Sequence, residues 1–229
     1  MSSLFAQNDS TRTEKKKPVN LYGRANDHLL VQYGYAGWNG APDSTNVGGF
    51  SNSLNIFLMF DFPFKSNPKL SIGIGAGVAS DKIKFEKTFV GIKENSPTLQ
   101  FRNQADTNHF KKNRLTTTYL EAPVEFRYVA RPLDSDRSFK FALGVRVGML
   151  IDAHTRYKEY RDKNGNTIND YKMKEADKKF FNTTRLVGQA RVGWGHFSLF
   201  GSYQITTLFK EGVAAEIRPY TIGLTLSGL

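Results

Sequence analysis

FKFALGVRVGMLIDAH, residues 139–154, carries Phe139, Phe141, Leu143, Val145, Val147, Met149 and Ile151 at alternate positions. Lys140, Ala142, Gly144, Arg146, Gly148, Asp152 and His154 fall mostly on the other face. Strict period two marks a β-strand, because successive side chains of a strand point to opposite faces, whereas a helix repeats its apolar positions every three or four residues. The run is also long, since strands of soluble domains average about 5–6 residues.

The pattern recurs on both sides of this segment. SLNIFLMFDF sets Leu54, Ile56, Leu58, Phe60 and Phe62 against Asn55, Phe57, Met59 and Asp61, and LSIGIGAGVA sets Leu70, Ile72, Ile74, Ala76 and Val78 against serine, glycine and alanine. YLEAPVEFRY, residues 119–128, alternates Leu120, Ala122, Val124, Phe126 and Tyr128 with Glu121, Pro123, Glu125 and Arg127. YTIGLTL closes the series near the C-terminus, and further alternating segments cover 29–38, 184–194 and 197–209, with the YLEAPVEFRY strand running over 117–129. Eight strands result, each near the ~9–11 residues that cross a bilayer at a tilt.

The connections alternate in length. KSNPK, ARPLDSDRS and the Trp194–Gly195 step are short, while 82–114 and 155–179 are long. Short turns at one end and long loops at the other are the asymmetry of outer-membrane barrels. The sequence therefore predicts an all-β fold, an eight-stranded antiparallel up-and-down transmembrane β-barrel spanning residues 21–229, with chain ends periplasmic and long loops extracellular. MSSLFAQ reads as the end of an apolar signal segment with a small-residue cleavage site, and residues 1–20 as that remnant plus a flexible periplasmic lead-in.

Energetics assign the faces. An Arg or Lys on the lipid face of a barrel costs about 2–4 kcal/mol at the midplane, and Lys140, Arg146, Arg127, Arg185 and Arg191 all sit on the small or polar face of their strands. That face is the lumen. Keeping both apolar faces on lipid forces the hairpin of 117–129 with 139–154 to pair residues whose numbers sum to an odd value. The turn length gives a sum near 269, which sets Arg146 opposite Pro123 with Glu121 and Glu125 diagonal, or opposite one of them after one allowed slip. The lumen network predicted is Glu121, Glu125, Arg127, Arg146, Asp152, Gln189 and Arg191. Eight strands enclose a space that side chains fill, so the network is a plug, and lumen-side glycines such as Gly73 and Gly148 give it room. Pro123 cannot donate to the ladder, so a bulge or kink is expected there. Trp38, Phe64, Tyr128 and Trp194, with Tyr22, come at strand ends and fit interfacial girdles.

Composition is compatible with this reading. The 229 residues include 18 Phe, 10 Tyr and 20 Gly with no Cys, so neither disulfides nor thiolate metal sites are available. The net charge of +11 is scattered through polar connections and not gathered on one helix face, which argues against nucleic acid. Basic residues in the 82–114 connection offer a surface to lipopolysaccharide phosphates or an acidic partner. No stretch has the roughly 18 apolar residues of a membrane helix.

YLEAPVEFRY, GRANDHLLVQYGY, MFDFPF and the closing IRPYTIGLTLSGL resemble the PorT-like small outer-membrane β-barrel domains of Bacteroidota. The resemblance implies an outer-membrane barrel, and for PorT itself an association with type IX secretion. Other motifs yield to simpler readings. DKNGNTIND lacks the glycine position and final Glu of a calcium loop, so Asn164-Gly165 is a hairpin turn. His196 and Ser198 have the spacing of a lipid A deacylase pair but lie at the short-turn end. The four histidines, 28, 109, 154 and 196, offer no paired metal spacing. No cofactor, metal or catalytic residue is expected. The function expected is a non-enzymatic, structural or accessory outer-membrane subunit in contact with outer-membrane lipid and a protein partner. A lipid A-modifying enzyme and a lipocalin-like carrier are the alternatives.

Overall fold

The computed structural model describes residues 28–43, 45–134 and 137–228. The expected signal remnant and lead-in over 1–20, and Tyr22, lie outside the described residues. Among the described residues eleven strands form: β1 Leu29–Asn39, β2 Asn52–Pro63, β3 Leu70–Phe85, β4 Thr88–Val90, β5 Phe101–Asn103, β6 His109–Val129, β7 Phe139–Arg161, β8 Thr167–Ala176, β9 Thr184–Trp194, β10 Phe197–Gln204 and β11 Arg218–Ser227. Eight of them, β1, β2, β3, β6, β7, β9, β10 and β11, pair antiparallel in that order, and β11 pairs back onto β1 to close the ring. β8 extends the wall as a ribbon on the upper part of β7, and β4 with β5 makes a separate two-stranded sheet.

Closure leaves no free edge in the ring, and the two faces differ in kind. Leu58, Phe60, Leu143, Val147, Ile222 and Leu224 point outward and are each more than half exposed, whereas Ser53, Asn55, Glu121, Glu125, Arg146 and Arg191 point inward and are buried. A continuous apolar band of this extent is untenable in water. From Phe139 to Ile151 the outward run of β7 covers about 40 Å of strand at ~3.3 Å per residue, or about 28 Å of height at a ~45° tilt, close to the hydrocarbon thickness of a bilayer.

The β6–β7 ladder carries the predicted register: Pro123 lies opposite Arg146, and pairs summing to 269 run from Val129–Lys140 to Tyr119–Leu150. The bulge expected at Pro123 is elsewhere. Pro123 interrupts pairing with β3, where Gly75 and Ala76 have no partner, but the register is the same on either side. A missing N–H removes a rung without adding a residue. The register shift comes between Thr118 and Tyr119, where Ile151 is the extra residue on β7.

Two long connections are shorter than expected. β3 continues to Phe85, β6 begins at His109 and β7 runs to Arg161, so much of 82–114 and 155–179 is barrel wall carried beyond the apolar band. In the other direction, β10 stops at Gln204 and the segment expected to continue as strand to Phe209 turns inward, burying Leu208 and Phe209.

Candidate functional site

The interior of the barrel holds two charged clusters stacked along its axis. The lower one, nearer the short turns, centres on Glu125, four residues before the C-terminal end of β6. Arg191 from β9 donates Nη2 to Glu125 Oε2 at 2.8 Å and Nε to Oε1 at 3.1 Å, a bidentate pair. Gln189, two residues earlier on the same face, donates to Oε1 at 2.7 Å, and Arg127 donates Nε to Oε2 at 2.7 Å. Arg127 also approaches Asp61 of β2 at 3.6 Å, and Ser71 donates to that carboxylate at 2.7 Å.

The upper cluster centres on Glu121. Arg146 lies 3.2 Å from Oε2, and Arg185 donates Nε to Oε1 at 2.5 Å while its Nη1 reaches Asp81 of β3 at 2.7 Å. The Arg185 guanidinium also stacks 3.8 Å from the centre of the Tyr119 ring, and Arg146 sits 5.6 Å from that of Phe57. Every charged side chain in these contacts is nearly inaccessible to solvent, Asp81 being the most exposed at 13%.

Glycines make this packing possible. A Cβ on Gly73 would lie 2.5 Å from Arg127 Nε, and one on Gly148 would lie 2.9 Å from Glu121 Cγ and 3.2 Å from Arg185 Cγ. Gly75 and Gly77 instead make room for Met59 and Phe57. Beside the lower cluster, a cavity lined by Arg127, Lys140, Arg191 and Ser198 has about 10 Å³, room for no more than a water molecule.

Above the charged clusters an apolar cap fills the barrel mouth. Ile83, Phe85, Leu115, Leu150, Phe181, Leu208, Phe209 and Ile217 form one buried cluster from the upper strands and the loops folded over them. The β4–β5 sheet closes it from above. Phe89 stacks on Tyr157 at 5.2 Å, and the Tyr157 hydroxyl donates to the Val90 carbonyl at 2.7 Å. Burial pushes the Tyr157 hydroxyl up to about 12, so it stays a neutral donor.

Six of the seven lumen candidates, Glu121, Glu125, Arg127, Arg146, Gln189 and Arg191, are brought together. Asp152 is not. Ile151 and Asp152 both face outward because the bulge places two residues of β7 against one step of β6, and from there on the odd-numbered Ala153, Thr155 and Tyr157 point inward. Asp152 pairs with His154 at 2.5 Å on the outer surface, its side chain 43% exposed. His154, placed with the lumen set by simple alternation, moves outward for the same reason. Asp61, Asp81 and Arg185 complete the network. All three lie on the polar parity of their strands, which is the signal that identifies them.

Trp38 is a second correction. It belongs to the cap, its ring meeting Phe85, Phe101 and Phe209 at 5.3, 6.2 and 6.1 Å. It shares parity with Gln32 and Ala36, which are buried inside, so it cannot reach the membrane. Trp194 and Phe197 face outward at the short-turn end, Phe64 packs near Phe126 on the outside, and Tyr128 faces outward opposite Phe141.

A family described as Outer membrane protein beta-barrel domain matches residues 5–210 of this chain. The chain belongs to that family. It is an outer-membrane β-barrel protein, and the match takes in every strand of the ring but β11. No curated protein matches the chain significantly. Among the described residues, no group of three or more His, Asp or Glu is arranged to hold a metal ion.

Proposed function

We propose that this barrel is a plugged, non-enzymatic component of the outer membrane that serves as a structural or accessory subunit and docks a protein partner through its loops or outer wall. The observation that carries this reading is the filled interior. Two ion-pair clusters occupy the lumen and an apolar cap seals its mouth, a construction suited to a rigid post in the membrane and not to passage of solute. Resemblance to PorT-like barrels of Bacteroidota makes a secretion, assembly or uptake complex the setting, with type IX secretion the specific instance. The strand asymmetry supports periplasmic chain ends and short turns with the folded loops outside.

A lipid A-modifying enzyme is the second reading, and the Asp152–His154 pair favours it, since it faces outward just above the apolar band. Among the described residues no hydroxyl bonds to His154, so the pair has no nucleophile in place. Ser198, by contrast, is buried inside the barrel and out of reach of lipid, while His196 bonds the Ser227 carbonyl at 3.0 Å. A soluble carrier would need the opposite polarity, apolar within and polar without.

Affinity purification from native membranes followed by mass spectrometry tests the proposal: a reproducible protein complex is expected, and a solitary monomer contradicts it. Lipid A profiles of cells expressing the wild type and His154→Ala should be identical. The chain has no cysteine, so a single Gly165→Cys in the β7–β8 turn reports orientation by labelling of whole cells with an impermeant maleimide.

A further inference from the structure

Above the bulge, the outer surface of β3, β6, β7 and β8 gathers cations that are far apart in sequence. Cross-strand pairing aligns Lys84 with Arg114, Arg114 with Arg156 and Arg156 with Lys174, a row of four across four strands. One step higher, Lys112 faces Lys158, which faces Lys172. One step lower, Lys82 is opposite Thr116, itself opposite His154. Like charges directly opposite each other destabilise a sheet, and among the described residues none of these lysines and arginines takes part in an ion pair. Three nearby carboxylates are otherwise placed: Asp152 holds His154, Glu159 holds Lys111 and Arg161, and Glu175 is opposite Thr155, whose face turns inward. The sheet carrying the rows is backed on its inner face by the β4–β5 layer through the Phe89–Tyr157 stack, so the cations are displayed on a supported surface.

We propose that this face binds the phosphate groups of a phosphorylated glycolipid in the outer leaflet, such as lipid A with its inner sugars. Height selects the occupant. The last outward apolar residues, Val78, Leu120 and Ile151, end the membrane band. The Lys84–Arg114 row lies about 20 Å farther along the strand, or about 14 Å higher at a ~45° tilt. Phospholipid headgroups occupy only about 5–7 Å beyond the hydrocarbon on each side, so two stacked rows of cations reach past them to the level of phosphorylated sugars. Guanidinium groups suit phosphate through paired donors, and the lysines add point charge. Bound phosphates neutralise the opposed cations and anchor the wall where it leaves the membrane.

The proposal rests on the orientation given above, which the Gly165→Cys labelling reads separately. Binding to the detergent-solubilised protein is measured for bisphosphorylated lipid A and dephosphorylated lipid A, each carrying its inner sugars, and for phosphatidylglycerol vesicles and inorganic phosphate. Bisphosphorylated lipid A is expected to bind at least tenfold more tightly than each of the others. The Lys84→Gln, Arg114→Gln, Arg156→Gln, Lys174→Gln variant is expected to lose at least tenfold of that affinity, with heat-modifiable gel mobility retained; Lys65→Gln, Lys69→Gln at a short turn should change nothing. Equal binding of dephosphorylated lipid A, of phosphatidylglycerol or of free phosphate by the wild type overturns the proposal without recourse to any variant. So does a folded quadruple variant that binds lipid A like the wild type, including one that loses an acidic protein partner instead.

Discussion

β6 and β7 pass through two media, and the same pair of strands reverses its chemistry between them. Below Ile151, Leu120, Val124, Val145 and Val147 face out while Glu121, Glu125 and Arg146 face in; above it, Arg114, Arg156 and Lys158 face out while Leu115, Ala153 and Tyr157 face in. The lower region is a lipid-facing wall around a polar plug. The upper region is an ordinary half-buried sheet with an apolar cap beneath and water outside. Exposure alone does not distinguish them, since Val145 is 44% exposed below and Ile168 54% exposed above. What differs is the solvent that each meets.

The largest effect expected from breaking this contrast is at Glu125. Glu125→Leu leaves Arg127 and Arg191 buried without their central carboxylate and should cost about 3–5 kcal/mol, read from urea unfolding in lipid vesicles. A loss under about 1 kcal/mol would mean that the lumen is wet. Next comes the pair of exposed aliphatic residues. Val145→Arg should cost about 2–4 kcal/mol in vesicles, whereas Ile168→Arg on β8 should stay within about 0.5 kcal/mol of the wild type. Equal costs would place both residues in the same medium.

Deleting Ile151 sharpens the boundary between the regions. Tyr119–Leu150 and Thr118–Asp152 would then become consecutive pairs, so the bulge disappears but each remaining side chain keeps its face. A loss of about 1 kcal/mol is expected, with heat-modifiable mobility intact; failure to insert would give the bulge a larger role. The smallest effect is confined to the ribbon. Hydrogen bonds from Arg161 and then Lys111 hold the Glu159 carboxyl down to about 2. Because its folded value is depressed, the ordering it provides is complete above the ordinary carboxylate range of about 4.3 and is lost as pH falls through about 2. Amide exchange at Thr167, whose hydroxyl donates to Glu159, should quicken across that window beyond the intrinsic pH trend, and Glu159→Gln should remove the excess.

The lower region was legible in the sequence because two independent constraints agreed there. Alternation fixed which residues of the eight wall strands share a face, and the short turn before Phe139 limited the register closely enough to place Arg146 opposite Pro123 or, one allowed step away, opposite Glu121 or Glu125, so that a carboxylate neighbour was expected in every case. The upper region was less so. Nothing in GMLIDAH marks a bulge, with neither Gly nor Pro at Ile151, so simple alternation carried Asp152 and His154 to the wrong face. The TINDYKMKEA strand, β8, lies largely exposed and shows no apolar period, although its turn at Asn164-Gly165 was readable. Trp38 illustrates a different limit: its position at a strand end suggested an interface, but its parity with Gln32 and Ala36 was the stronger signal. The alignment of Lys84, Arg114, Arg156 and Lys174 depends on three registers at once, one of them beyond the bulge.

Single cysteines introduced from position 139 to 160 in the naturally cysteine-free chain, spin-labelled in lipid vesicles, test the reversal most directly. Contact with membrane-dissolved oxygen should peak at odd positions through 151, and access to a water-soluble relaxing agent should then peak at even positions from 152 onward. Odd-numbered peaks continuing past 152, or aqueous access at 143, 145 and 147, would contradict it.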